Sequence, residues 1–138
     1  MSGENYGVAR VVGLGNKLDV EESEVLEYYG QDPKTKAIFI YLESFKKPRR
    51  FLNVARKVTQ SKPVIFLIGG ATAQGADAAV AHTAALASND RIVEGALRQA
   101  GVVRIYKYSH LFLAAKAIST MPLPKGNRIS FLAPSGAM

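Results

Sequence analysis

Cysteine is missing altogether from this 138-residue chain, and only two histidines are present, without His-rich spacing. No disulfide framework and no thiolate metal site can form, and a structural zinc has no ligand set to draw on. Apolar runs are short, none approaching the ~20 residues needed to cross a bilayer. Residues 1–10 lack the basic-then-apolar order of a signal peptide. The chain is therefore expected to be soluble and cytoplasmic, with no membrane partner. What it does have is 48% hydrophobic residues, enough for one ordinary domain to bury a core.

Acidic residues are the minority, leaving a net charge of +7 that attracts something anionic without saying what. Lys46, Lys47, Arg49, Arg50, Arg56 and Lys57 form one dense cluster, flanked by Phe45 and Phe51. A nucleic-acid surface needs exposed aromatic faces among its cations. Both phenylalanines fall where a strand end and a helix start would bury them, so the cluster is read as a solvated helix face and nucleic acid is not the expected partner.

Apolar runs of four to six residues alternate with helix-period segments, the pattern of βαβ units around a parallel sheet buried on both faces. Residues 8–13, 37–42, 64–68 and 102–106 are the runs, which predicts at least four parallel strands. Val25, Leu26 and Tyr29 predict a helix over residues 21–29, with Gly30 at its C-terminal cap. Pro48 sits at a first helical position, and Phe51, Leu52, Ala55 and Val58 supply the apolar stripe of a second helix. Residues 73–87 are rich in alanine and fit either a helix or close backbone packing. Asp90 is read as the N-cap of a helix ending at Gly101, and a last helix spans 109–119. Pro122 and Pro124 mark residues 121–126 as a linker. The apolar run at 129–133 then either opens a further domain or adds a strand to this one.

The order of several short matches carries more weight than any one motif. Gly15, Asn16, Lys17, Leu18, Asp19 and Val20 follow the first run, and Asp32, Pro33, Lys34, Thr35 and Lys36 make a turn. Tyr41, Leu42 and Glu43 end the second run, Arg50, Phe51 and Leu52 enter the helix, and Lys62, Pro63 and Val64 precede the third run. Ala81, His82 and Thr83 come next, and Arg98, Gln99, Ala100, Gly101 and Val102 close the domain. In this order the chain resembles the phosphohistidine-carrying ligase domain of nucleoside-diphosphate-forming acyl-CoA synthetases, the wider family of succinyl-CoA synthetase. The resemblance implies a flavodoxin-like, three-layer α/β domain over residues 1–120, with a mostly parallel sheet of four to five strands. Residues 121–138 would be a Pro-rich linker and terminal strand.

The chemistry implied is phosphoryl relay. His82 stands where the family's histidine takes phosphate from an acyl phosphate and passes it to ADP or GDP. An imidazole suits this, since one ring nitrogen attacks phosphorus while a carboxylate holds the other. Glu43 matches the position of that carboxylate, at the strand end where open α/β sheets bind ligands. Gly69, Gly70 and Thr72 of one loop, Thr83 beside the histidine, and Asn16 and Lys17 of the first loop make up the expected phosphate-binding set. No metal and no cofactor held by the domain alone is expected. CoA, ADP or ATP, and phosphate are implied for the assembled enzyme, homo- or hetero-oligomeric, whose CoA-binding and ATP-grasp modules would be separate subunits or domains.

The chain departs from the family pattern close to that site. Where the family usually has Ser-His-Thr-Gly-Ala, this chain has Ala81, His82, Thr83, Ala84 and Ala85. Ile68 and Ala71 stand where a lysine and an arginine are usual. Lost glycines restrict close backbone approach to an anion, and lost cations weaken its Coulomb stabilisation. The alternative is therefore a degenerate, non-catalytic ligase-like domain that binds a partner or a CoA-type ligand.

Overall fold

The structure is a computed structural model and describes residues 7–69, 90–124, 126, 128, 130 and 132. Helix α1 (Glu22–Gln31) leads to strand β1 (Ile38–Leu42), helix α2 (Pro48–Val58) and strand β2 (Val64–Ile68). Helix α3 (Asp90–Gln99), strand β3 (Val103–Ile105) and helix α4 (Tyr108–Thr120) follow. The strands pair in parallel in the order β1-β2-β3, with Ile38 opposite Val64 and Ile65 opposite Val103.

The central strand shows why this sheet is parallel and covered on both sides. Val64, Ile65, Phe66 and Leu67 are all buried, so its apolar run has no solvent face to alternate with. Ile38, Ile40 and Leu42 of β1 join Val64, Phe66 and Ile68 in a core with Leu26, Phe51, Val54 and Leu97 from the helices. Phe45, Phe51 and Phe66 meet there with ring centroids 5.0 to 5.8 Å apart, as the sequence pattern predicts for the two phenylalanines beside the basic cluster. Tyr41 lies on the opposite face by strand alternation, and its ring lies 5.6 Å from that of Tyr108 at the start of α4. Helices α1, α2 and α3 thus form one layer, the sheet the second, and α4 the third.

Local chemistry sets the helix limits. The backbone N–H of Glu21 donates to the Glu24 carboxylate at 3.0 Å, which closes the first turn of α1. At the end of α3, Gly101 adopts φ +73, the N–H of Val102 reaches the carbonyl of Leu97 at 3.0 Å, and the N–H of Gly101 reaches that of Arg98 at 3.0 Å. That left-handed stop is the one expected from the sequence.

Two expectations are corrected. Gly30 does not cap α1 but lies inside it, where a Cβ would come within 2.6 Å of a Val58 methyl. Its role is close approach of α1 to α2. The helix instead ends at Asp32, whose carboxylate accepts from the Lys34 N–H at 3.1 Å and the Thr35 hydroxyl at 2.9 Å, while Lys62 donates to the carbonyls of Tyr29 and Asp32 at 3.0 and 2.6 Å.

Residues 8–13 form no strand, so the sheet has three strands among the described residues. Val8, Val11 and Val12 are exposed. Arg10 is drawn over α1, donating to Asp32 at 2.9 Å and lying 5.7 Å from the Tyr28 ring, and a groove separates Val12 and Leu14 from β1. The apolar run is present, but among the described residues no backbone hydrogen bond pairs it with a strand. Among the described residues no helix is long and apolar enough to cross a membrane.

Candidate functional site

The carboxyl ends of the strands gather the polar residues singled out by the sequence. Glu43 directly follows β1 and is exposed, accepting a long hydrogen bond from the Tyr41 hydroxyl at 3.4 Å. Gly69 directly follows β2, and its N–H donates to the Leu42 carbonyl at 2.9 Å. A Cβ on Gly69 would stand 2.7 Å from the Tyr41 hydroxyl and 3.1 Å from Cγ of Glu43. Glycine at this point therefore lets the Tyr41 and Glu43 side chains cross the end of β2. Tyr41 is pushed up to about 12, first by its hydrogen bond with Tyr108, then by burial and nearby negative charge including Glu43. At neutral pH it is therefore a protonated phenol beside Glu43.

The first loop reaches the same rim through a turn with Gly15 and Lys17 at φ +51 and +55, closed by the Lys17 N–H on the Leu14 carbonyl at 3.0 Å. Asn16 is exposed at its tip. The Lys17 ammonium donates to the Ser44 carbonyl at 2.5 Å and lies 3.3 Å from the Glu22 carboxylate. The other oxygen of Glu22 accepts the Lys46 N–H at 2.8 Å, and the Lys46 ammonium binds the carbonyls of Lys17 and Leu18. Buried Glu21 accepts from Arg50 at 2.8 Å. Two buried carboxylates at the start of α1 therefore tie the first loop and the β1–α2 loop together. Sequence reasoning missed both. The signal was Glu21, Glu22 and Glu24 in one stretch against Lys46, Lys47 and Arg50 in another. It also means that Lys47 and Arg50 of the basic cluster face Glu21, and the Lys46 ammonium backbone carbonyls, rather than forming a bare cationic surface.

A groove of about 1170 Å³ runs from this rim along the outer edge of β1. Asn16, Lys17, Glu43 and Ser44 lie at its polar end, while Val12, Leu14, Ile38 and Ile40 line it further down. The structure thus brings Asn16, Lys17 and Glu43 to one cavity, with Gly69 beside Glu43. His82, Gly70, Thr72 and Thr83 lie outside the described residues, as do Ala71, Ala81 and Ala84. Among the described residues no three His, Asp or Glu side chains converge on a metal-sized site.

A parallel sheet with helices on both faces and polar loops at its carboxyl end defines an open α/β domain of the flavodoxin-like class. Residues 1–118 match the family described as the succinyl-CoA ligase like flavodoxin domain, and the chain belongs to that family. It is 38% identical over 135 residues to the alpha subunit of ADP-forming acetate–CoA ligase I of Pyrococcus furiosus, covering 98% of this chain and 29% of that protein. It is 40% identical over 132 residues to the ADP-forming acetate–CoA ligase of Methanocaldococcus jannaschii, covering 96% of this chain and 19% of that one. The fold superposes with a TM-score of 0.77 and 37% identity on dinucleotide forming acetyl-coenzyme A synthetase 1 of Ca. Korarchaeum cryptofilum, solved in complex with phosphate and ADP. That comparison covers 83% of this chain and 25% of the other. The chain thus spans less than a third of the length of these relatives.

Proposed function

We propose that the domain is the phosphoryl-carrying ligase part of a nucleoside-diphosphate-forming acyl-CoA synthetase, with His82 as acceptor and Glu43 as its positioning carboxylate. The observation that carries this reading is Glu43 itself, exposed at the carboxyl end of β1 against Gly69, the residue that begins the connection to His82. A nitrogen of His82 attacks the phosphorus of an acyl phosphate, a P–N bond forms, and the P–O bond to the acyl oxygen breaks as the carboxylate leaves. A terminal oxygen of a nucleoside diphosphate then takes the phosphoryl group, breaking the P–N bond and restoring the imidazole. Glu43 holds the other ring nitrogen and balances its transient positive charge. CoA-binding and ATP-grasp partners, and CoA, nucleotide and phosphate as substrates, complete the cycle.

Reconstitution with such partners tests the proposal. Acyl-CoA- and phosphate-dependent conversion of ADP to ATP should be lost in His82→Asn and fall on the order of 10²-fold in Glu43→Gln. Full activity of His82→Asn would refute it.

A second reading is a ligase-like domain that assembles with partners without carrying phosphate. Ile68 favours it, since the end of β2 carries an alkyl side chain packed against the core rather than a cation. Wild-type protein that joins the partners yet supports no turnover would decide for this reading.

A further inference from the structure

Glu43 stands exposed at a strand end, where a glutamate has three rotatable side-chain bonds to settle before its carboxylate can hold another group. The backbone on either side of it is already fixed. The carbonyl of Ser44, the next residue, accepts from the shielded Lys17 ammonium at 2.5 Å, and the carbonyl of Leu42, the residue before, accepts from the Gly69 N–H at 2.9 Å. The carboxylate itself meets the Tyr41 hydroxyl, which donates to its Oε1 at 3.4 Å. A phenol facing a carboxylate is a charge-assisted pair, and such bonds at catalytic groups are often long before the reacting group arrives. Tyrosine suits the task because only two torsions separate its hydroxyl from the backbone, and residues two apart at a strand end share a face.

Tyr41 is in turn held from two sides. Its ring lies 5.6 Å from that of Tyr108 in the first turn of α4, with 36° between the planes, and it shares a hydrogen bond with that residue. Across the end of β2, a Cβ on Gly69 would stand 2.7 Å from the Tyr41 hydroxyl and 3.1 Å from Cγ of Glu43, so any other residue there would push the pair away. A tyrosine that served only to seat α4 would need its ring against Tyr108. It would not need its hydroxyl drawn over the end of β2 beside a carboxylate. After Tyr108 and burial, Glu43 is also among the causes that keep Tyr41 protonated.

We propose that Tyr41 is a positioning residue for Glu43: its hydroxyl takes Oε1 of the carboxylate, and the other oxygen, Oε2, is thereby presented to the imidazole that Glu43 holds. The proposal rests on the reading of Glu43 as the carboxylate for His82 and adds the group that orients it. With one oxygen occupied, the carboxylate has one direction left in which to accept a ring N–H, so less of its freedom remains to be lost when the imidazole becomes positively charged. Tyr41 keeps its proton throughout.

Tyr41→Phe keeps the ring on Tyr108 and removes only the hydroxyl. With saturating CoA-binding and ATP-grasp partners, acyl-CoA and radiolabelled phosphate, its labelling rate should fall about tenfold. Tyr41→Phe/Glu43→Gln should be no slower than Glu43→Gln alone, because the hydroxyl acts only through that carboxylate. Labelling of Tyr41→Phe at the native rate, or losses that multiply in the double variant, would overturn the inference while leaving His82 and Glu43 in their roles. A native chain that assembles with the partners and is never labelled would instead refute the phosphoryl reading, and the inference with it. A second measurement needs neither partners nor label. The Cζ titration of Tyr41, with its midpoint at about 12, should move down in Glu43→Gln, and a midpoint left unchanged would overturn the contact itself.

Discussion

The ammonium of Lys17 stands 3.3 Å from the carboxylate of Glu22, joining the tip of the first loop to the first turn of α1. Both side chains are well shielded, at 13% and 2% exposure, so this is a buried pair rather than a surface one. Removing one partner of such a pair leaves the other charge without compensation. Lys17→Met should cost roughly 3 kcal/mol. Glu22→Gln/Lys17→Met should recover much of that loss. Urea unfolding of the two variants beside the native chain measures both values.

Gly30 and Val58 make the corresponding apolar contact between α1 and α2. A methyl at Gly30 would come within 2.6 Å of Cγ2 of Val58, so Gly30→Ala should destabilise by about 1–2 kcal/mol despite alanine's better helix propensity. Shortening the obstacle in Gly30→Ala/Val58→Ala should give a loss smaller than the sum of the two single variants, a coupling read from thermal or urea midpoints.

Asp32 is held near 2, below its ordinary 3.8, first by the Arg10 hydrogen bond and then by the Lys34 N–H and the Thr35 hydroxyl. A carboxyl whose folded value lies below its unfolded one stabilises the fold above the unfolded value and loses that contribution as pH falls through the folded one. Stability should therefore decline between pH 3.8 and about 2, and Asp32→Asn should flatten that part of the curve. Carbon-13 titration of the Asp32 carboxyl checks the value directly.

Tyr41 supplies a second titration. Because its hydrogen bond with Tyr108 is the first cause of the rise to about 12, Tyr108→Phe should bring Tyr41 back toward its ordinary 10.0. The Cζ shift of Tyr41, followed from pH 9 upward, reports the change. An unchanged midpoint would remove Tyr108 from the rim.

The parts of the fold legible in the sequence are those decided by local chemistry. The β-branched and aromatic runs fix β1 and β2 to within a residue, Pro48 opens α2, and Gly101 stops α3 because only a residue tolerant of positive φ fits there. Residues 8–13 read equally well as a strand, but strand formation needs a partner edge, and sequence pattern does not say whether one stands within reach. Gly30 looked like a cap since the helix signal fades there; the true reason for glycine is Val58, 28 positions away. The burial of Glu21 and Glu22 was not legible because their partners, Lys17, the Lys46 N–H and Arg50, come from the first loop, the β1–α2 loop and α2. Glu43 and Gly69 fell at the rim because parallel strands place their carboxyl ends together, which the pattern of strands and helices already implied.

Phosphate transfer to His82 is the central claim, and labelling tests it most directly. Incubated with CoA-binding and ATP-grasp partners, an acyl-CoA and radiolabelled phosphate, this chain should acquire one acid-labile, base-stable phosphate that ADP removes. His82→Asn should carry none, and Glu43→Gln should acquire it more slowly. A native chain that assembles with those partners and stays unlabelled, or label that persists in His82→Asn, would contradict the account.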